Sequence, residues 1–125
     1  MIAKELDPKD YVKAHKACMD FYAGPEHQCS PRDPFPPLSE FTDPHSRVYV
    51  VYENKVIVAV AIMRGSRAAW YNSPPDKFVE AAKTMGPLLL KDIGPFYGNV
   101  ENPQARAMFK EALNVEGDGA DLRFY

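Results

Sequence analysis

Two rhythms of apolar residues divide this chain into elements. Ile2–Leu6 predicts a short opening strand. Asp7 and Pro8 then supply an N-cap and a first-turn proline. Tyr11, Ala14/His15, Cys18/Met19 and Tyr22 recur every three or four residues, the spacing of an amphipathic helix, and Ala23-Gly24-Pro25 ends it. The rhythm then breaks over Gly24–Ser46, where Phe35, Leu38 and Phe41 are spaced as if to fasten a long loop to a core, with a turn of helix around Leu38–Phe41.

A two-residue rhythm follows. Arg47–Glu53 and Val56–Arg64 are rich in Val, Ile and Tyr and are separated only by Asn54-Lys55, the length of a tight hairpin. Both runs are apolar on both faces, which predicts central strands covered on two sides. Ala68–Asn72 reads as a shorter strand. Ser73-Pro74-Pro75-Asp76 opens a helix with Phe78, Ala82, Met85 and Leu89 on one face, and Gly86-Pro87 is expected to kink or split it. Phe96–Val100 is a further strand. Asn102-Pro103 is a strong helix start, followed by Ala105, Met108, Phe109 and Ala112 on an apolar face. Gly117-Asp118-Gly119 makes a turn, and Leu122 and Phe124 alternate in a last strand. The predicted order is β–α–loop–β–β–β–α–β–α–β, a single α/β domain over residues 1–125 with a mixed central sheet flanked by helices.

Composition narrows the function classes. At 125 residues, 46% hydrophobic and 26% charged, the chain suits one globular domain. Six of its 12 prolines lie between Pro25 and Pro44, so their excess belongs to the 24–46 loop. A net charge of −2 speaks against phosphate-backbone binding, and no nucleic-acid partner is expected. The longest apolar run, Val56–Met63, is far short of a bilayer span, and no secretory segment opens the chain, so no membrane partner is expected and the expected location is the cytoplasm. The two cysteines fit a reducing compartment.

The element order, with Asn102-Pro-Gln-Ala105-Arg-Ala-Met-Phe109-Lys after the fifth strand, resembles the GNAT N-acetyltransferase fold. Within it, the run Trp70-Tyr71 through Asp76–Lys91, then Phe96-Tyr97-Gly98-Asn99-Val100 and Asn102–Leu113, is similar to the small internal virion protein of short-tailed phages, a degenerate GNAT relative. The resemblance implies an acetyl-CoA site whose pyrophosphate rests on a glycine-bearing turn at a helix start. Here that turn is Asn72-Ser73-Pro74-Pro75-Asp76. It has no glycine, two of its residues lack an N–H, and Asp76 adds negative charge. The tyrosine that serves such enzymes as general acid is matched by Phe109, which has no proton to give. The fourth strand, where a carboxylate base is expected, offers Trp70, Tyr71 and Asn72.

The reading that follows is a catalytically degenerate GNAT-fold protein of phage type, needing no cofactor and working through a protein partner, located in the host cytoplasm or the virion, with a homodimer allowed. Phe35, Leu38 and Phe41 in the proline-rich segment are the expected partner contacts. The alternative is an acetyl-CoA-dependent N-acetyltransferase with an atypical loop. In that case Glu53, Tyr71 and Tyr97 are the catalytic candidates, Ser73 and Asn102 the cofactor contacts, and the wedge between the fourth and fifth strands admits an apolar ligand.

Three other constellations carry less. His15-x-x-Cys18 with His27-x-Cys29 offers four zinc-ligand types at a spacing of no common module, and no metal is expected. Cys29 near His27 has the makings of a reactive thiol without a defined partner. Arg47, Arg64 and Arg67 with Trp70 and Tyr71 make a stacking platform for single strands only if all share a face.

Overall fold

Asn54 and Lys55 both take positive φ, 50° and 69°, the backbone of a mirror-image two-residue turn. They fold β2 (Ser46–Glu53) back on β3 (Val56–Arg64). The computed structural model describes residues 1–23, 38–72 and 75–125. β1 (Ile2–Glu5) pairs with β2 on one side, and β4 (Arg67–Asn72) pairs with β3 on the other, all antiparallel. β5 (Phe96–Asn99) joins β4 in parallel, and β7 (Asp121–Phe124) and β6 (Val115–Glu116) complete a seven-stranded sheet in the order β1-β2-β3-β4-β5-β7-β6. The sequence predicts six strands. β6 is too short, at two residues, to show alternation, and it exists because β7 gives it a partner.

The doubly apolar β2 and β3 do become central strands. Tyr49, Val51, Ala59, Ala61 and Met63 face one core; Val48, Val50, Val60 and Ile62 face the other. A bulge between Val51 and Tyr52 shifts the register from Val51↔Ala59 to Tyr52↔Ile57, so consecutive residues Val58 and Ala59 enter the same core. The first core is covered by α3 (Phe78–Asp92) and α4 (Pro103–Ala112), the second by α1 (Tyr11–Ala23) and α2 (Leu38–Thr42).

Helix α1 buries Tyr11, Ala14 and Cys18 as expected, and also Phe21, which lies outside the expected row. Met19, predicted on the same face, is 48% exposed instead, because the buried row advances to Phe21. Helix α2 supplies the predicted turn around Leu38–Phe41; of the 24–46 loop, residues 24–37 lie outside the described residues. Helix α3 corrects an expectation: Gly86-Pro87 does not split it. Pro87 is exposed, so the carbonyl it leaves unpaired one turn back, at exposed Lys83, faces water. Gly86 is buried where Leu113 packs onto the helix; a Cβ there would lie 2.3 Å from Leu113 Cδ2.

At the β1 side of the sheet, Arg47 holds Glu5 with two hydrogen bonds of 2.8 and 2.9 Å, and the Tyr49 hydroxyl donates to Asp92 at the end of α3 (3.1 Å). Among the described residues, no helix is long and apolar enough to cross a membrane.

Candidate functional site

β4 and β5 form the sheet's parallel pair, and they pair only at Arg67↔Tyr97 and Ala68↔Gly98. Beyond those positions the strands diverge. α3 and α4 close over the gap and leave a cavity of about 100 Å³, walled by Trp70, Asn72, Phe78, Met85 and Phe109 among others. On the opposite face, Arg67, Tyr97 and Arg123 line a broad groove of about 580 Å³. Gly98 lines both hollows, so no side chain stands between them at that point of β5.

The pleat of β4 decides which of its residues see the cavity. Ala68, Trp70 and Asn72 point to it, while Ala69 and Tyr71 pack against the α1 side. Trp70 Nε1 donates to Asn72 Oδ1 at 3.1 Å. Indole nitrogen can only donate, so this bond fixes the Asn72 amide with Oδ1 toward Trp70. Its Nδ2 is left buried with no hydrogen-bond partner among the described residues.

The middle of the cavity wall is aromatic. Phe109 of α4 lies edge-on to Phe78 (4.6 Å), Trp70 (5.6 Å) and Phe124 (5.3 Å between ring centroids), and Phe96 stacks on Phe124 at 4.7 Å. Such edge and offset contacts suit ring quadrupoles. Phe109, at the place the resemblance assigns to a proton donor, is 5% exposed and part of the core. Among the described residues that line the cavity, Glu101 alone is ionisable, and it is exposed.

The two helix starts at the cavity differ. Asn102 caps α4 as its sequence predicts, accepting from the N–H groups of Gln104 (2.8 Å) and Ala105 (3.2 Å), and it also lines the cavity. At α3, the turn Pro75–Lys77 leads into Phe78 without a side-chain cap. Asp76 is exposed in that turn, and the Lys77 ammonium is hydrogen-bonded to Glu53, which holds the ammonium in its charged form. A pyrophosphate is held by convergent backbone N–H groups at a helix start, and nearby positive charge strengthens the hold. Beside the side-chain-uncapped N–H groups of the first turn of α3, the described part of this turn offers a proline, a carboxylate and a lysine already paired with Glu53, and none of these three favours an anion.

The remaining predicted residues are dispersed. Glu53 is engaged with Lys77, Tyr71 sits on the α1 face, and Tyr97 is 48% exposed over the far groove; none of them lines the cavity. Ser73 and Phe35 lie outside the described residues. Leu38 is 40% exposed, but Phe41 is fully buried with its ring edge-on to His15 (5.3 Å), so it packs the core and presents no surface to a partner. Trp70 and Tyr71 face opposite sides of the sheet, Arg47 is bound to Glu5 and Arg64 to Asp43; the stacking platform is not assembled. Cys18 is buried, and among the described residues no metal-holding group of His, Cys, Asp or Glu gathers; His27 and Cys29 lie outside them. The orphaned amide of Asn72 is what sequence reasoning missed. Its one signal was position, two residues beyond Trp70 on the same pleat.

No family model matches the sequence, and no curated protein sequence matches it. Solved structures do match the fold. The ribosomal L7/L12 alpha-N-protein acetyltransferase RimL, solved with coenzyme A, superposes with a TM-score of 0.59 at 11% identity, over 98% of this chain and 90% of that one. A variant of the spermidine N-acetyltransferase SpeG from Vibrio cholerae gives a TM-score of 0.55 at 15% identity, over 98% of this chain and 92% of that one. With its splayed parallel pair inside an otherwise antiparallel seven-stranded sheet, the chain has the GNAT acetyltransferase fold.

Proposed function

We propose that this chain is a GNAT-fold protein that has left acetyl transfer and acts by binding, with another protein as its partner. The observation that carries the reading is the ring of Phe109. Acetyl transfer to an amine must return a proton to the departing thiolate and take one from the nucleophile. The cavity wall holds packed hydrocarbon where the donor is expected, and Glu53, Tyr71 and Tyr97 are turned elsewhere. The neutralised, proline-bearing start of α3 supports the same reading. Exposed apolar side chains on the other layer, Val12 and Met19 of α1 and Leu38 of α2, support a protein contact there. The phage-type role, in the virion or the host cytoplasm, rests on the sequence resemblance.

Acetyl transfer is the second reading, and one observation favours it: the cavity and the far groove meet at Gly98, where a donor and an acceptor would approach from opposite faces. A thiol-release assay with acetyl-CoA and a panel of polyamines, amino acids and peptide N-termini separates the two. The binding reading expects no coenzyme A released above the protein-free rate. Turnover with any acceptor, lost on Gly98→Val, would establish the second.

A further inference from the structure

Between β6 and β7 the chain runs Gly117-Asp118-Gly119-Ala120, and Asp118-Gly119 is its one pair in which an Asp or Asn precedes a glycine. Such a pair has a chemistry of its own. The main-chain nitrogen after an aspartate is placed to attack the side-chain carboxyl carbon. A Cβ on the following residue and a main chain held in place ordinarily prevent it. Neither restraint operates here. Glycine has no Cβ, and one built at Gly119 would meet nothing within 4 Å. Asp118 and Gly119 are both exposed and lie outside any strand or helix. Among the described residues, neither the Asp118 carboxylate nor the Gly119 N–H has a hydrogen-bond partner. Exposed loop tips of small and polar residues are where a fold tolerates covalent change best.

We propose that Asp118 is a modification site, where aspartate isomerises spontaneously to isoaspartate. The Gly119 nitrogen bonds to Cγ of Asp118, and a carboxyl oxygen leaves as water, carrying the nitrogen's proton and the proton of the carboxylic acid. Water then opens the imide ring. Addition at Cγ restores aspartate. Addition at the main-chain carbonyl breaks its bond to nitrogen, so the chain now runs through Cγ and the old main-chain carbonyl becomes a free carboxylate. The backbone gains one methylene, about 1.5 Å of length. That slack has one place to go. On the β6 side the pairs Val115↔Phe124 and Glu116↔Arg123 hold the strands, and Gly117 lies so close to β7 that a Cβ on it would stand 2.5 Å from the Asp121 carbonyl oxygen. The added length therefore displaces Ala120, whose carbonyl accepts from the Val100 N–H at 2.7 Å. Glu116, Gly117 and Asp121 line the far groove, so the change alters its rim. The reaction uses neither the cavity nor a nucleotide and stands apart from the question of acetyl-CoA.

The test incubates the native protein for weeks at neutral pH and body temperature, beside a synthetic peptide of residues 111–123, which is also the tryptic fragment that carries Asp118. The expected result is a second chromatographic form of that fragment at unchanged mass. It should be methylated by a protein isoaspartyl methyltransferase with S-adenosylmethionine, and electron-transfer fragments should place it at 118. Its growth in the folded protein should keep within a few-fold of that in the free peptide. Gly119→Ala, a change the open space at that position accommodates, should slow it several-fold. In the aged protein the Val100 amide should exchange with deuterium several-fold faster. An unconverted protein beside a converting peptide, conversion at Asp121 in place of Asp118, or an undiminished rate in Gly119→Ala would each overturn the site. Unchanged exchange at Val100 in the converted fraction would overturn its effect on the groove.

Discussion

Phe109 touches Trp70, Phe78 and Phe124 at once, so its side chain is a joint between α4, α3, β4 and β7. Truncation to alanine opens a hole in that joint, and Phe109→Ala should lower stability by about 3–5 kcal/mol in urea denaturation. Phe109→Tyr tests a different property. It adds the hydroxyl that the resemblance assigns to this position, but among packed aromatic rings, so a loss of about 1–3 kcal/mol with no gain of transfer is expected. A variant as stable as the parent would mean the hydroxyl has found water or an acceptor, and that the cavity is more polar than described. Tyr49 offers a second residue-scale test. Burial, then the nearby Glu5 charge and the bond to Asp92, raise its phenol far above the ordinary tyrosine range. The folded state therefore holds this proton more tightly than the unfolded one. Its contribution is complete below the ordinary pKa near ~10 and is lost as pH climbs above it. In an ultraviolet titration of the seven tyrosines, at least one should ionise only as the near-ultraviolet dichroism of the fold collapses. Smooth ionisation of all seven before unfolding would contradict the buried environment.

Among the elements, the β2–β3 hairpin shows most clearly what the sequence discloses. Two β-rich runs separated by Asn-Lys could only turn back within two residues, and the doubly apolar pattern placed both strands centrally; the structure has them so. The cap at Asn102 was equally legible, because the capping chemistry lies within four residues. What stayed hidden depends on partners distant in the chain. β6 exists through β7, and the continuity of α3 across Pro87 through its packing on the core. The site behaved likewise: a phenylalanine at 109 could be read from one letter, whereas the isolated amide of Asn72 required the pleat, Trp70 and the helices above it. The hairpin supplies the test at this scale. Lys55 at φ 69° carries a Cβ in a conformation that glycine takes freely. Lys55→Gly should therefore raise stability by about 1 kcal/mol, seen as a higher urea midpoint at unchanged slope. An unchanged or lower midpoint would show that the turn is not the mirror-image type.

At the scale of the whole molecule, the sheet keeps the opening between β4 and β5, while the described start of α3 presents an exposed Asp76 and a Lys77 bound to Glu53. On the proposed reading, the scaffold and the chemistry have separated. Calorimetric titration of the protein with coenzyme A, repeated as a thermal melt at millimolar nucleotide, measures that separation most directly. A ligand held at a hundredfold above its dissociation constant adds ~2.7 kcal/mol to stability. The expected outcome is no binding heat and an unmoved melting temperature. A saturable heat together with a raised melting temperature, both diminished when Lys77→Ala removes the one cation of the turn at α3, would contradict it.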